Sequence, residues 1–492
     1  MNRALLSVSM AALLGVVVIA GRHPVRAAEA DRALFGADAS RNQVSPAKGL
    51  PAKWDMATGM NVKWTAKSGS QSYAGPVVAD GKVFIGTNNE GERDPAIKGD
   101  KGNVMAFDAR TGEFLWQMVT DKLPSGRVND WPQQGICSTP FVEGKRLYYT
   151  SNQGRIVALD TEGLRDGNAG FQGEKYKGAK DGDVIWEYDM IAELDVFPHN
   201  LAASSPLVVG DLIFVTTANG VDEGHVNIPS PRAPSFIALD KNTGKLVWEN
   251  SAPGEGIIHS NWSNASYGTF AGKDAVVFPA GDGYVYGLDP AKGTLLWKFN
   301  GNPKDSVYVL GARGTKNDFI ASAVIHEEKI YIGMGQDPEH GEGVGNFWMF
   351  SPGGKTGDIT DAPGAKVWHR GGKDFQRTIS TVAIQDGIVY AADLSGFLYA
   401  LDARTGQHLW THDMLAAVWA SPYAADGKIY LGDEDGDVTV LKQGRTKQVL
   451  GEMNLAQSVY ATPYAKDGVI YVLSRNQLWA FAEGATFKGA PK

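Results

Sequence analysis

The phrase Asp-x-x-x-Gly-x-x-x-Trp occurs four times in this chain and constrains its fold more than any other feature. Its copies begin at Asp108, Asp240, Asp289 and Asp402, and a short β-rich stretch such as KVFIGTN precedes each copy. With weaker copies between them, the repeat is roughly 40 to 70 residues long, which indicates one supersecondary unit repeated many times. We therefore expect an array of small sheets, with the chemistry located where the pattern is interrupted.

The sixth unit shows the strands of one repeat most clearly. They are ISTVAI, GIVYAAD, GFLYALD and QHLWTHD, and pairs such as Asp386-Gly387 and Ser395-Gly396 separate them. Such pairs supply the positive φ angles that tight β-hairpins require. Counting such units gives eight, with starts near Ser72, Ser138, Ser204, Ala265, Ile320, Ile379, Ala420 and Ala461.

The eighth unit has only three strands, and the missing strand is found at the other end of the chain. Residues 61–64, which end in Trp64, carry the same Trp-terminated pattern. An N-terminal strand that completes the last blade closes the ring and removes open sheet edges. We predict an all-β, eight-bladed β-propeller over residues 61–484, closed by pairing of an N-terminal strand with the last blade. A signal peptide (1–27) and an extended segment (28–60) precede it, and a tail (485–492) follows.

Tryptophans at the ends of the outermost strands have a structural interpretation. A large indole at that position packs between adjacent blades and buries apolar area while its N–H finds an acceptor. We therefore assign blade docking, rather than ligand binding, to Trp64, Trp116, Trp186, Trp248, Trp297, Trp368 and Trp410.

The N-terminus has the pattern of a secretory signal. Arg3 precedes an apolar run from Ala4 to Ala20, and Val25-Arg26-Ala27 predicts cleavage after Ala27, although an uncleaved anchor stays an alternative. We therefore expect a periplasmic or secreted protein without stable membrane insertion after cleavage. The single cysteine, Cys137, allows no intrachain disulfide. A net charge of −8 with no basic run argues against a nucleic-acid partner. We expect a monomer with a protein or small-molecule ligand that the sequence does not identify.

The segment ALDARTGQHLW, residues 400–410, resembles the tryptophan-docking repeats of the pyrroloquinoline quinone (PQQ) β-propeller superfamily. That superfamily includes quinoprotein alcohol dehydrogenases and the outer-membrane protein assembly factor B. The resemblance covers nearly the whole mature chain. The opening FGADASRNQVSPAKGLPAKWD is similar to uncharacterised bacterial PQQ-like repeat proteins. The resemblance implies the propeller fold, but both enzymes and non-catalytic scaffolds share this repeat.

Long insertions interrupt the pattern mainly on one face. They occupy residues 88–103, 219–234 and 336–346 within blades, and residues 189–203, 251–264 and 299–319 between blades. Insertions in compact repeats are usually functional loops. By the resemblance, this is also the face where ligands of the family bind. We therefore place the functional site on this built-up face.

The built-up face collects polar residues with donor, acceptor and stacking groups. The ligand-binding candidates are His199, Asn200, Asp222, Glu223, His225, His259, Asn261, Trp262, Arg313, Asp337, Glu339, His340, Glu342 and Arg377. Histidines and carboxylates together can bind a transition metal or move protons, and the densest set is Asp337, His340 and Glu342. The alternative is that these residues hydrogen-bond to one another and only hold the loops in shape. We expect the three loops with His199/His259, His225 and His340 to converge on one pocket near the axis.

Two functions remain open at this stage: a ligand- or protein-binding scaffold, and a quinoprotein-type oxidoreductase with PQQ and Ca²⁺ on the axis. Both cofactors are implied by the resemblance alone. The quinoprotein dehydrogenases have two adjacent cysteines, whereas Cys137 stands between Ile136 and Ser138. Their Pro-Trp-Asn and Pro-His-Asp-x-Trp-Asp segments are also missing, and Pro198-His199-Asn200 is only a faint counterpart. These departures favour the binding scaffold, and no catalytic residue is predicted.

Overall fold

The computed structural model describes residues 32–310 and 314–488. These residues form an all-β protein with eight blades, which confirms the predicted eight-bladed propeller. The predicted signal peptide, with its cleavage after Ala27, lies outside the described residues. Within the described ranges, no helix is both long and apolar enough to cross a bilayer.

The strands follow one another in a regular order from blade to blade. Before the first blade lie β1 (Arg32–Ala33), β2 (Val44–Ser45) and β3 (Met60–Lys67). Blades one and two contain β4 (Val77–Ala79), β5 (Lys82–Asn88), β6 (Lys101–Asp108), β7 (Phe114–Asp121), β8 (Phe141–Glu143), β9 (Arg146–Thr150), β10 (Arg155–Asp160) and β11 (Asp183–Asp189), followed by the single short α-helix of the described residues, α1 (Met190–Leu194). Blades three and four contain β12 (Leu207–Val209), β13 (Leu212–Thr216), β14 (Phe236–Asp240), β15 (Leu246–Asn250), β16 (Ser266–Phe270), β17 (Lys273–Pro279), β18 (Tyr284–Leu288) and β19 (Leu295–Asn300).

The second half of the ring repeats this arrangement. Blades five and six contain β20 (Val324–His326), β21 (Lys329–Met334), β22 (Val344–Phe350), β24 (Lys366–Gln376), β25 (Ala383–Gln385), β26 (Ile388–Ala392), β27 (Phe397–Asp402) and β28 (His408–Asp413). Strand β23 (Gly357–Asp358) follows β22 in the chain but pairs with β19 of blade four. Blades seven and eight contain β29 (Tyr423–Ala425), β30 (Lys428–Gly432), β31 (Asp437–Lys442), β32 (Val449–Asn454), β33 (Tyr464–Lys466), β34 (Val469–Leu473) and β35 (Gln477–Thr486). Strand β3 pairs with β35, with Trp64 opposite Ala480, and thereby closes the ring.

The repeated Asp-x-x-x-Gly-x-x-x-Trp phrase joins each blade to the next. Six of the predicted docking tryptophans donate their indole N–H to a main-chain carbonyl of the following blade, as Trp116 does to Thr161 at 2.9 Å. The seventh, Trp297, is buried and packs edge-on against Phe350 of blade five. The glycine of the phrase has positive φ and lies under the indole of the preceding blade. One glycine thus permits both the turn and the inter-blade contact.

Gly244 provides a test of this dual role. A Cβ at Gly244 would lie 2.5 Å from the Trp186 indole, whereas a Cβ at Gly210 would meet nothing within 4 Å, and φ is positive at both glycines. We expect Gly210→Ala to cost about 1 kcal/mol of unfolding free energy from backbone strain alone. Gly244→Ala adds an overpacking cost of about 1–3 kcal/mol. Urea unfolding of both variants measures the difference, and equal losses would contradict the docking role of the glycine.

A ring of side chains encircles the axis where the innermost strands begin. Blades two to eight each offer a side-chain oxygen to a donor of the blade before: Gly75 N–H donates to Thr139, Thr139 N–H to Ser205, Ser205 N–H to Asn264, the Asn264 amide to Ser322, Ser322 N–H to Thr381, Thr381 N–H to Ser421 and Ser421 N–H to Thr462. These bonds fix the blades at one height around the axis. The inserted links between blades, residues 189–203, 251–264 and 299–319, lead directly into this ring.

The N-terminal segment from Arg32 to Ser45 crosses the axis on the other side of the ring. β1 pairs with β8 of blade two and β2 pairs with β29 of blade seven. Between them, Ala39 and Ser40 accept main-chain bonds from blades four and five. Arg41, fully buried, donates to the carbonyls of Phe35, Ser205, Pro206 and Ala265. Phe35 of this segment lines one end of the axial pocket, and the built-up face lies toward the other end.

Candidate functional site

Three histidine rings meet on the built-up face, although they come from three different loops. The ring centroids of His199, His225 and His259 lie 4.6–4.7 Å apart in each pair. His340 joins them from a fourth loop, with its ring stacked 5.4 Å from that of His259. The structure therefore brings together the loops that carry these four histidines, which are separated by up to 141 residues in the sequence (His199 to His340).

The environment of this cluster keeps the imidazoles of His199, His259 and His340 neutral. Burial lowers the pKa of His199 to about 4. Burial, together with the three neighbouring histidines, lowers the pKa of His259 to about 2. Burial and His225 also lower the pKa of His340. At neutral pH these rings offer lone pairs rather than positive charge.

The loop that carries His225 is shaped by Asp222. The Asp222 carboxylate accepts bonds from the main-chain N–H of Val226 and Asn227 and from the Asn227 amide, which lowers its pKa. His225 itself has a left-handed φ of 57°. Glu223 lies outside the cluster, because it is exposed and forms an ion pair with Arg127 at 3.0 Å. Asp222 thus has a loop-shaping role, and Glu223 points away from the histidines.

Arg377 fixes the main chain of the loop that carries His340. The buried guanidinium of Arg377 donates to the carbonyls of Gly314, His340 and Glu342. The Gln336 side-chain oxygen accepts a hydrogen bond from His340 Nδ1 at 3.2 Å, so Nε2 is the nitrogen that keeps its lone pair. Among the described side chains that can hold a metal, the compact group consists of the three histidines, so the predicted candidates His340, Glu342 and Asp337 are not part of it.

The remaining predicted residues divide between support and pocket lining. Asn261 is buried and bonds to Asn219, Ser235 and Gly281, so its amide holds neighbouring loops together. Trp262 donates to the carbonyls of His199 and Leu201 and packs against the His199 and His259 rings. Asn200, with a left-handed φ of 62°, lines the axial pocket. Arg313 lies outside the described residues, and the side chain of Glu339 is likewise not described.

An axial pocket of about 280 Å³ lies directly beside the histidine cluster. One wall is an aromatic group of Tyr73, Trp419 and Tyr460, with Tyr73 stacked on Tyr460 at 5.2 Å. These residues precede blades one, seven and eight, and Trp262, which precedes blade four, lies across the axis from them. The floor of the pocket is formed by Phe35 of the N-terminal segment and by the ring of hydrogen-bonded side chains that joins the innermost strands, called the hydroxyl ring below. A pocket with one closed end and half-buried aromatic walls is a typical small-molecule site.

Cys137 also lines this pocket, but it is poorly suited to nucleophilic chemistry. Burial raises the pKa of its thiol to about 12, so the thiol stays protonated at neutral pH. A reactive cysteine requires thiolate character. Cys137 is therefore a pocket wall rather than a nucleophile.

The aromatic wall and the hydroxyl ring were not predicted from the sequence. Tyr73, Trp419 and Tyr460 lie in short links that carry no insertion. The ring had a usable signal, because Ser-Thr-Pro at 138–140, Ser-Ser-Pro at 204–206 and Ala-Thr-Pro at 461–463 recur at the starts of innermost strands. A hydroxyl at the same position of several blades indicates a shared place near the axis.

Comparisons with known proteins agree with this fold. The chain is 24% identical over 368 residues to the polyvinylalcohol dehydrogenase of Sphingopyxis sp. (strain 113P3), covering 63% of this chain and 50% of that protein. It is 22% identical over 436 residues to the dehydrogenase subunit of the alcohol dehydrogenase (quinone) of Gluconobacter oxydans, covering 73% and 51%. The chain thus spans about half the length of these curated relatives. The structure of BamB from Moraxella catarrhalis superposes with a TM-score of 0.54 at 13% identity, covering 87% of this chain and 99% of that one.

A family model also matches this chain. The model described as outer membrane protein assembly factor BamB matches residues 92–168, 177–325 and 355–449, which is more than half of the chain. The resemblance to PQQ-type propellers that the repeats indicated is thereby confirmed. With its eight blades, its docking tryptophans and this match, the chain belongs to the BamB-type family of PQQ-like repeat β-propellers.

Proposed function

We propose that this protein is an exported binding propeller that holds a small, flat ligand, neutral or cationic, in the axial pocket. The proposal is supported mainly by the cavity between the aromatic wall and Trp262, which is closed at one end. Export is supported by the N-terminal pattern ending at Ala27. A shaped pocket that also lies next to four inserted loops favours binding over a purely structural role.

The chemistry of the lining sets the class of ligand. Aromatic faces attract flat rings and cations. In the described part of the chain, the lining contains no Lys or Arg. Aromatic faces without a described Lys or Arg beside them favour cations over anions.

The quinone cofactor that the family resemblance implies fits this lining poorly. PQQ carries three carboxylates, and burying an anion requires cationic or multiple N–H partners. The described lining residues include neither a guanidinium nor an ammonium group. An oxidoreductase is therefore the second candidate, and it is supported by the similarity to the alcohol dehydrogenase relatives.

Two probes of the same shape and opposite charge test the proposal. We expect N-methylquinolinium, a flat cation, to quench the tryptophan fluorescence of the protein and to bind at least 10-fold more tightly than quinoline-2-carboxylate, a flat anion. Removing an aromatic face costs about 0.5–2 kcal/mol, so Trp419→Ala should weaken cation binding about 3- to 30-fold. Phe171→Ala is the control, because Phe171 is 38% exposed and lies in the loop between β10 and β11, outside the pocket.

The outcomes separate the two candidates. Equal binding of both probes, or an equal effect of Trp419→Ala and Phe171→Ala, would contradict binding in the axial pocket. Tight binding of PQQ with Ca²⁺, followed by dye-linked oxidation of an alcohol, would replace the binding function by the quinoprotein oxidoreductase. Native mass spectrometry of protein exported by its own host would then show which ligand it carries.

A further inference from the structure

The nitrogen atoms of three histidines are close enough to share one ion. His225 Nε2 lies 2.9 Å from His259 Nε2, and one ring nitrogen from each of His199, His225 and His259 lies within 4.8 Å of the others. Metal–nitrogen bonds of about 2.0–2.1 Å place two ligand nitrogens about 3 Å apart. The three nitrogens therefore need only a small inward movement to enclose a metal ion.

His199 is oriented as a metal ligand commonly is. Its Nδ1 lies 2.8 Å from the carbonyl oxygen of Val221, which makes Nδ1 the protonated nitrogen and leaves a lone pair on Nε2. The Nε2 atom is buried and has no hydrogen-bond partner in the described structure, on a residue that is only 1% exposed. An unsatisfied buried acceptor destabilises a folded protein, and a bound metal ion would satisfy it.

The main chain around the cluster is built to bring the rings together. A Cβ at Gly220 would lie 2.6 Å from the His259 carbonyl and 2.7 Å from the His199 Cβ, so only glycine allows these loops to touch. Ala218, Asn200 and His225 all have left-handed φ angles near 60°. Strained non-glycine residues often cluster at functional sites.

We propose that His199, His225 and His259 bind one divalent transition-metal ion of the Zn²⁺ or Cu²⁺ class. Imidazole nitrogens select these ions over Ca²⁺ and Mg²⁺, which prefer oxygen ligands. Three neutral ligands leave the ion with its full double charge and with a coordination position open for water or an anionic group. His340 stacks on His259 but is not part of the ligand group. The metal site does not require the ligand that we propose for the axial pocket.

Metal titrations of the purified full chain test the site. After treatment with EDTA and its removal, we expect one equivalent of Zn²⁺ to bind in competition with a chromophoric chelator, and Co²⁺ to give visible d–d absorption. His259→Gln should weaken Zn²⁺ binding about 100-fold or more. His408→Gln is the matched control, because His408 is exposed on β28 and bonds to Thr411.

A second variant keeps the test decisive. If His259→Gln does not fold, as judged by circular dichroism and thermal melting in EDTA, His225→Gln replaces it, since His225 is only half-buried on an inserted loop. Stoichiometric binding that is lost in the cluster variant and kept in His408→Gln supports the site. Wild-type protein that binds no stoichiometric Zn²⁺ or Cu²⁺, or a cluster variant with wild-type affinity, would overturn it. Binding of N-methylquinolinium in EDTA reports the pocket separately.

Discussion

Replacing Arg41 by Met is expected to lower the unfolding free energy by about 3 kcal/mol, because charge-assisted hydrogen bonds contribute about 1.5–3 kcal/mol each. The guanidinium donates to four main-chain carbonyls, two of them in blade three and one in blade four. Burial lowers the pKa of Arg41 to about 9, so the side chain is still charged at neutral pH. Methionine fills a similar volume but leaves these carbonyls without donors.

Arg32→Met is the control for this experiment. Arg32 lies in the same N-terminal segment, but it is half-exposed and its ion pair with Glu143, at 3.0 Å, is partly solvated. Such pairs contribute about 0–1 kcal/mol. Urea denaturation gives the midpoint and slope for both variants. A loss for Arg41→Met no greater than that for Arg32→Met would show that the segment does not hold the closed end of the axial pocket.

Trp116→Ala is the second substitution for which we expect a large effect, a loss of about 3–5 kcal/mol of unfolding free energy. The indole is fully buried and donates to the Thr161 carbonyl at 2.9 Å. Its ring lies against Phe84 in its own blade and close to Gly163 in the next. Alanine removes the inter-blade bond and leaves a cavity between blades one and two.

Phe171→Ala separates docking from the general effect of removing an aromatic side chain. Phe171 is 38% exposed, so we expect its loss to cost less than about 1 kcal/mol. Calorimetric melting of both variants measures the comparison. Similar melting temperatures for the two would contradict the assignment of Trp116 as a docking residue. A large loss confined to Trp116→Ala would extend this role to the equivalent tryptophans.

The propeller was predictable because its determinants are local and repeated. Turns such as Asp386-Gly387 specify hairpins within a few residues, and an indole such as Trp64 marks the end of an outer strand. The three-stranded eighth unit indicated which strand was missing, and β3 pairs with β35 as that reasoning required. The insertions likewise indicated the face that carries His199, His259 and His340.

The composition of the site was harder to predict because proximity in sequence differs from proximity in space. Asp337, His340 and Glu342 lie within six residues and seemed the densest metal set, yet the compact group combines His199, His225 and His259. The Arg377 guanidinium bonds to main-chain carbonyls around His340 instead of offering itself to a ligand. Polar residues that lie close together in the sequence of a loop often hydrogen-bond to that loop and fix its shape.

By itself, the sequence determined the repeat, the strand order and the closure of the ring, since these depend on turn residues and side-chain periodicity within each unit. Only the tertiary structure decided which histidines share a centre, that Tyr73, Trp419 and Tyr460 form one wall, and that the N-terminal segment lines one end of the axial pocket. Those contacts join residues from different blades around a common axis. Their distances depend on how all eight sheets pack together, which no single unit of the repeat specifies.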